Sequence, residues 1–391
     1  MPWIERCRLD ERIAFVRLVA DGEPMAALCR QFGISRQTGY KWWARFEEDG
    51  VEALADRSRR PRSHPNETPA HIVEVIIEAR ARHPFWGPRK LVAWLARKKP
   101  QLKLPAPSTV GSILKRNGLV SPRRTRRRAA PTPRADQALD ANDVWATDFK
   151  GEFRTRDGKY CYPLTIQDQA SRFLLRCQAR NSTRADTAKP IFETAFREHG
   201  LPRVMLSDNG IPFASATFAG LTTLSVWWLE LGIELARIEP GHPEQNGKLE
   251  RFHRTLKNET TKPPKGNLSA QQRAFNRFRD EFNHDRPHEA LADKTPASSY
   301  TGSTRAFPDR IAAPDYDASF ELRHLNARGE LQLNRFRFCV SGALKHKQIA
   351  LEPIEDGLWR LHFRHQLLGA FNERTGLLTR PGFAIQVKRR T

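Results

Sequence analysis

The sequence predicts a chain of several domains, with all-helical modules first, an α/β domain in the centre and a small β-barrel at the end. Three observations support this order. Apolar residues recur with the period of a helix between residues 10 and 48, whereas strand-like and helical runs alternate between residues 144 and 257. Residues 320–372 then change to the two-residue period of short strands. A length of 391 residues is sufficient for two to four domains with sizeable cores.

Positive charge is concentrated in the first third of the chain. Lys and Arg total 66 against 44 Asp and Glu, a net charge of +22, and residues 1–135 hold 28 of these cations against 13 acids. This asymmetry indicates a polyanionic partner, and nucleic acid is the one we expect. The five cysteines have no paired spacing, which argues against a zinc module. With neither a signal peptide nor a long apolar run, we expect a cytoplasmic protein without a membrane partner.

Residues 1–56 are predicted to form a helix-turn-helix domain. A first amphipathic helix precedes a second over Met25–Phe32, which Gly33 ends, and Ser35 then caps a third helix over Arg36–Glu48. In this motif the N-terminal half of the last helix enters the major groove of DNA. Packing of three helices without DNA is the alternative. The side chains that we expect at the groove are Arg36, Gln37 and Lys41.

A basic linker over residues 57–68 leads to a second helical module, residues 69–120. Its predicted helices cover His71–Arg82, Arg89–Lys98 and Thr109–Asn117, and we interpret it as a second helix-turn-helix-like DNA-binding domain. Residues 121–137 form an Arg-rich linker whose composition cannot bury a core. The arginines of this linker that we expect to lie along DNA phosphates are Arg123, Arg124, Arg126, Arg127 and Arg128.

Three acidic residues lie at element ends in the central domain. Asp148 lies on the inward face of a predicted strand, Asp208 follows an apolar strand at a turn, and Glu250 lies beside the apolar stripe of a helix. Three acids in one cleft repel one another unless divalent cations join them, and carboxylate oxygens are the ligands that Mg²⁺ or Mn²⁺ prefers. For the helix alone, the alternative is an ordinary ion pair between Glu250 and Arg254.

Three sequence blocks surround these acids. They are Trp145 with Asp148–Gly151, Ser207–Gly210 with Pro212 and Phe213, and Pro243 with Asn246–Lys248 and Glu250–Lys257. In this order the blocks resemble the Asp-Asp-Glu core of bacterial insertion-sequence transposases, with retroviral integrases as more distant relatives. The predicted element order, βββαβαβα, is similar to the ribonuclease H-like fold of that family, with a mixed sheet, over residues 138–302.

Two glutamates compete for the third position of the motif. Glu244 follows Asp208 after 35 intervening residues, the spacing often quoted for the family, whereas Glu250 follows it after 41. In the resembled motif the glutamate follows an Asn-Gly pair by three positions, which favours Glu250. Glu244 directly follows a proline ahead of the helix, where it would point away from Glu250. The additional residues fit in an apolar, helix-like stretch over Ala214–Leu231.

The resemblance implies metal-dependent phosphoryl transfer on DNA. Asp148, Asp208 and Glu250 would be both the catalytic residues and the ligands of two Mg²⁺ or Mn²⁺ ions. Water would first free a 3′-hydroxyl, which would then attack target DNA. The implied partners are double-stranded DNA, as the terminal inverted repeats of a mobile element and as target, and further copies of this chain on that DNA in the bacterial nucleoid. The residues expected to hold a DNA strand near the metals are Lys248, Arg254 and Lys257.

Residues 318–391 are predicted to form the small β-barrel. Leu331–Val340 alternates apolar and polar residues, and Glu355–Leu358 marks a hairpin. Contact with the DNA backbone and packing on the central domain both remain open as its role.

The sequence therefore predicts a DNA transposase that cleaves the ends of a mobile element and joins them to a target. Two alternatives stay open. A transposase-derived repressor would bind DNA without catalysis, although it would not need three acids. A simple metal-dependent endonuclease would use the same acids, so the sequence does not separate it from a transposase.

Overall fold

A computed structural model describes residues 7–56, 67–120, 140–238 and 247–388. The chain divides into two compact units, Met1–Thr68 and Pro69–Thr391. The arginines of the predicted 121–137 linker and Glu244 lie outside the described residues. Within the described ranges, no helix has both the length and the apolar character that crossing a bilayer requires.

The first unit is a three-helix domain that matches its predicted pattern. Ser35 caps the third helix by accepting the backbone N–H of Thr38 at 3.1 Å. Gly33 ends the second helix with a φ of +64°, a conformation that favours glycine. Phe15 and Leu28 are buried where the helices meet. The helices are α1 (Arg8–Ala20), α2 (Met25–Gln31) and α3 (Arg36–Asp49), followed by a 3₁₀ turn at Val51–Leu54.

The second unit begins with the other helical module. Trp86, Leu91 and Ile113 are buried in its core. Its last helix begins at Pro107, two residues before the predicted start, because proline suits the first position of a helix. The three helices are α4 (Ala70–Arg82), α5 (Pro88–Lys98) and α6 (Pro107–Arg116).

A mixed six-stranded sheet forms the centre of the second unit. Its order is β2-β3-β1-β5-β6, with β4 also paired to β3. β1 and β3 are antiparallel, whereas β5 and β6 continue the sheet in parallel, as the predicted element order requires. The strands are β1 (Val144–Phe149), β2 (Phe153–Arg154), β3 (Tyr160–Asp168), β4 (Leu174–Arg180), β5 (Val204–Ser207) and β6 (Glu234–Arg237).

Four helices cover the two faces of this sheet. Because side chains alternate along β1, Trp145 packs with α7 and α8, whereas Val144 and Ala146 pack with α9 and α10. Asp148 continues the second series and so belongs to the α9 face. The four helices are α7 (Ala185–His199), α8 (Thr223–Glu230), α9 (Gly247–Thr260) and α10 (Leu268–His284).

The stretch Ala214–Leu231 is not the lengthened helix that the sequence predicted. Only Thr223–Glu230 is helical, and the residues before it form turns. Ser215 and Thr217 bond each other through their hydroxyls at 2.8 Å, and Gly220 turns the chain with a φ of +65°. Local polar bonds and a left-handed glycine therefore outweigh the apolar composition of this stretch.

The α4–α6 module is fastened to the central domain by buried polar contacts. His83 Nδ1 lies 2.9 Å from a carboxylate oxygen of Glu281 on α10. Arg286 donates to both oxygens of Glu259 at 2.8 and 2.9 Å, and its guanidinium lies 5.6 Å from the ring centre of Trp86. His83 and Trp86 of the module therefore contact the central domain directly, and Arg89 adds an ion pair to Asp293.

The C-terminal strands form an open sheet rather than the predicted closed barrel. The order is β14-β13-β12-β11-β10-β7, with β8 and β9 as a separate pair, and no pairing between described residues joins β14 to β7. The predicted run Leu331–Val340 turns at Asn334 (φ +48°) into that hairpin. The strands are β7 (Glu321–His324), β8 (Glu330–Leu333), β9 (Phe336–Cys339), β10 (Gln348–Glu355), β11 (Leu358–Phe363), β12 (Gln366–Asn372), β13 (Leu377–Arg380) and β14 (Phe383–Gln386).

The apolar face of this sheet is covered without barrel closure. Phe336 and Phe338 of the hairpin contact Phe371, with ring centres 5.2 and 4.6 Å apart. Phe218 and Val226 of the central domain enter the same cluster. Packing on the central domain, one of the two roles left open by the sequence, is therefore observed.

Candidate active site

Asp148 and Asp208 are brought together by parallel strands. Ala146 of β1 pairs with Leu206 of β5, and the same register continued by two residues brings Asp148 level with Asp208. Neighbouring strands lie about 4.8 Å apart. The two carboxylates therefore leave the sheet at one edge, from adjacent strand ends.

The turn after β5 holds Asp208 by local hydrogen bonds. The backbone N–H of Gly210 donates to Asp208 Oδ1 at 3.1 Å. The side-chain amide of Asn209 donates to the carbonyl of Ile238, after β6, at 2.7 Å. The Asp-Asn-Gly sequence thus supplies the residue types that such a turn needs, and it ties the end of β5 to the end of β6.

Glu250 reaches this edge from α9. Leu249, Phe252 and Leu256 are buried against the sheet, as the helical period predicted. Glu250 is exposed in the first turn of the helix. The neighbouring cations Arg254 and Lys257 are exposed on the same helix, and Lys248 is exposed at its start.

The pKa of Asp148 reports how the three acids act on one another. Burial, and then the negative charges of Asp208 and Glu250, together raise this pKa from 3.8 to about 7. The backbone N–H of Phe149 opposes the shift by donating a hydrogen bond. Asp148 is therefore close to half-protonated at neutral pH in the protein alone.

His253 is a further member of the site that the sequence did not assign. Its Nδ1 lies 3.6 Å from Asp148 Oδ2, and its Nε2 lies 2.9 Å from Thr165 Oγ1. Burial, and then the charge of Lys150, lower the pKa of His253 to about 3. The imidazole is therefore neutral at pH 7, and the contact with Asp148 is not an ion pair. The helical spacing could have found it, because His253 follows Glu250 by three positions.

Lys150 is a second residue that the sequence left without a role. Burial, and then the nearby charge of Lys257, lower the pKa of Lys150. The two lysines therefore repel each other near the end of β1, where Asp148 also lies. Such an arrangement suits a site that handles both metal ions and phosphates.

The donor set has the chemistry of a site for a hard divalent cation. The negative charges of two carboxylates, Asp208 and Glu250, act on Asp148, and carboxylate oxygens are the ligands that Mg²⁺ and Mn²⁺ prefer. Across the four described ranges, no three Asp, Glu, His or Cys side chains stand close enough to hold a metal ion as they are placed.

The predicted groove-reading side chains lie together on α3. Arg36, Gln37 and Lys41 are all exposed on the N-terminal half of that helix. Tyr40, which the sequence analysis did not single out, is 58% exposed on the same stretch. The structure thus leaves this surface free of core packing within its unit.

Comparison with known proteins gives matches over much of the chain. Residues 138–243 and 231–296 match the integrase core domain, residues 11–62 match a helix-turn-helix domain, and residues 38–114 match a homeodomain-like domain.

Relatives include insertion-element and polyprotein sequences. The insertion element IS407 uncharacterized 31.7 kDa protein of Burkholderia multivorans is 26% identical over 64% of this chain and 86% of its own length. The uncharacterized protein K02A2.6 of Caenorhabditis elegans is 32% identical over 36% of this chain, and the match spans only 10% of that protein. The Gag-Pol polyprotein of baboon endogenous virus is 34% identical over 30% of this chain and 6% of its own length.

Among solved structures, the HTLV-2 integrase catalytic core domain in complex with magnesium aligns over 42% of this chain and 100% of its own, with a TM-score of 0.34 and 17% identity.

The sequence matches confirm the resemblance found in the motifs. Residues 138–296 thus match the integrase core domain, helix-turn-helix matches precede them, and the chain is similar to bacterial insertion-element proteins and to viral polyproteins.

Proposed function

We propose that this protein is a DNA transposase that cleaves the ends of a mobile element and transfers the freed strands to target DNA. The observation that carries the proposal is the coupling of Asp148 to Asp208 and Glu250 at the edge of an integrase-type sheet. A protein that only binds DNA has no use for three mutually repelling acids at one site.

The proposal assigns Asp148, Asp208 and Glu250 as the residues that would hold two Mg²⁺ or Mn²⁺ ions. When bound, such ions supply an activated oxygen nucleophile and stabilise the leaving oxygen of a phosphodiester. In this assignment Asp148 has to lose its proton before it binds a cation, which its pKa of about 7 permits near neutral pH.

The other residues of the site orient and bind. His253 lies between Asp148 and Thr165, and its ring would orient the Thr165 hydroxyl, which donates to the backbone carbonyl of Asp148 at 3.2 Å. Lys150 and Lys257 would hold the phosphates of the strand being cut. No serine or tyrosine is required, because strand transfer by a 3′-hydroxyl passes through no covalent protein–DNA intermediate.

In this proposal the helical modules recognise the DNA. Arg36, Gln37 and Lys41 would read the element's terminal repeats from α3, and the linker arginines Arg123–Arg128 would add phosphate contacts. Pairing of two element ends calls for more than one copy of the chain on the DNA.

Strand joining distinguishes this function from its alternatives. Labelled element ends that carry a free 3′-hydroxyl should be joined to a plasmid with Mg²⁺ or Mn²⁺ and without ATP, because transesterification conserves the phosphodiester bond. Lys248→Ala should reduce joining more than Mn²⁺-supported hydrolysis, whereas Lys159→Ala, an exposed lysine in the β2–β3 hairpin, should leave both unchanged. A gel shift of label into plasmid-sized product measures the result. Hydrolysis alone, over a library of end sequences, would establish the endonuclease instead, and binding without either product would establish the repressor.

A further inference from the structure

A cavity of about 430 Å³ lies between the central sheet and the C-terminal sheet. Its apolar wall is formed by Leu221, Leu235 and Leu368. Two arginines also line it, Arg237 at the end of β6 and Arg380 at the end of β13. An apolar wall with a few convergent polar groups is the usual character of a small-ligand site, and the volume falls in the range of about 300–1,000 Å³ that such sites occupy.

The two guanidinium groups meet beside Gly220. Arg237 donates from Nη2 to the Gly220 carbonyl at 2.6 Å. A β-carbon at Gly220 would lie 2.7 Å from Arg237 Nη1 and 3.1 Å from Arg380 Nη1. Both groups therefore approach one point, and a glycine with φ of +65° leaves the room for them.

Among the residues that the structure describes, the lining of the cavity supplies no counter-charge to this pair of cations. All the residues that line it are apolar, neutral or Arg. Burial, and then the charge of Arg380, lower the pKa of Arg237. Arg380 Nε is buried without a hydrogen-bond partner in the described part of the chain. Two half-buried like charges with an unsatisfied donor are the arrangement expected where an anion binds.

The cavity lies close to the candidate active site. Arg237 pairs with Ser207 in the β5–β6 register, and Ser207 directly precedes Asp208. Side chains alternate along β6, so Leu235 and Arg237 face the C-terminal sheet, whereas Ala236 and Ile238 pack on the α9 side. A DNA strand bound at Asp208 thus needs to pass only the edge of the central sheet to reach the cavity.

We infer that this cavity binds one unpaired nucleotide of a DNA strand, with its phosphate between Arg237 and Arg380 and its base on the apolar wall. The inference rests on the proposed function for its partner, because a cleaved strand offers an unpaired end. Guanidinium forks match phosphate oxygens in charge and geometry. A base can pack its face on the leucines of the wall only once it has left the duplex, so the cavity selects single-stranded over paired DNA.

The test is the binding of a short labelled oligothymidylate to the full chain without metal, measured by fluorescence anisotropy. Arg380→Gln should weaken binding at least tenfold, which corresponds to about 1.4 kcal/mol. The slope of log affinity on log salt should also fall by about 0.7, the value for one phosphate contact on a single strand. Arg374→Gln is the matched control, since it removes the same charge from the exposed β12–β13 turn, where Arg374 pairs with Asp356. It should change binding less than threefold, and duplex of the same length should respond little to either variant.

Two further measurements complete the experiment. Circular dichroism of each variant shows whether it is folded. If Arg380→Gln does not fold, Arg237→Gln removes the other guanidinium of the cavity and serves in its place. Equal effects of Arg380→Gln and Arg374→Gln, or an equal loss of duplex binding, would overturn the inference. Thymidine monophosphate that binds as tightly as the oligonucleotide would overturn the assignment to a DNA strand. Metal-dependent cleavage by the wild-type protein is a separate readout. If the oligonucleotide does not bind the cavity, the proposed transposase chemistry still stands, and if cleavage is absent, oligonucleotide binding can still be measured.

Discussion

Asp148→Asn should stabilise the metal-free protein at alkaline pH, although the residue is proposed to be catalytic. The folded protein raises the pKa of this acid from 3.8 to about 7, so the folded state binds its proton more tightly than the unfolded state does. Wild-type stability is therefore lost as pH rises from about 4 to about 7 and stays lost above that. Asparagine is neutral throughout and avoids this loss.

The size of the effect follows from the shift. About three pKa units at 1.36 kcal/mol each give an upper limit of about 4 kcal/mol at pH 8, and well under 1 kcal/mol at pH 4. The side chain retains 21% of its exposure, and solvent screening reduces the charge repulsion, so we expect about 2 kcal/mol at pH 8. Mg²⁺ should remove this difference in stability between the variant and the wild type, because it should bind and stabilise only the wild type.

Urea unfolding followed by circular dichroism, at pH 4 and pH 8 with chelator, measures this difference. Asp157→Asn is the control, because Asp157 sits in the exposed turn before β3, where the Thr155 hydroxyl lowers its pKa. Its replacement should reduce stability at pH 8, the opposite sign. A loss of stability in Asp148→Asn at pH 8, or a gain that does not depend on pH, would refute the electrostatic account of the site.

Two further variants test the modules. Ser35→Ala removes the cap that accepts from Thr38 and should cost the first unit about 1 kcal/mol in thermal unfolding, with Ser35→Asp as the tolerated control. Arg286→Ala leaves Glu259 buried without its bidentate partner and should cost about 3–5 kcal/mol in urea unfolding. The double variant Arg286→Met with Glu259→Leu should recover most of this loss, and a double variant as unstable as the single one would refute the pairing argument.

Local signals explain what the sequence predicts well. The Ser35 cap, the left-handed Gly33 and the apolar stripe of α9 each depend on residues within one or two helical turns, and all three are present in the structure. The element order of the core follows from similar local periodicities. The parallel pairing of β1 with β5, which brings the ends of the Asp148 and Asp208 strands to one edge of the sheet, was not predicted from the sequence.

Contacts between distant segments explain where the structure differs from the sequence predictions. The sequence predicted short strands in the C-terminal region, which are present, but Phe336 and Phe338 fold back over the sheet, which removes the need for closure into a barrel. The helical spacing indicates that His253 lies near Glu250, but its contacts with Thr165 and Asp148 could not be predicted, because those residues belong to strands far along the chain. Apolar composition alone also could not reveal that the residues before α8 would turn through local polar bonds.

Single-turnover cleavage of labelled element ends with Mg²⁺ tests the central claim most directly, using Glu250→Gln and Glu244→Gln as a matched pair six residues apart. Glu250→Gln, like Asp148→Asn and Asp208→Asn, should lower the cleavage rate at least about a hundredfold while end binding stays nearly intact, because each removes a proposed metal ligand. Glu244→Gln should keep substantial activity. An inactive Glu244→Gln beside an active Glu250→Gln would contradict the assignment of the site.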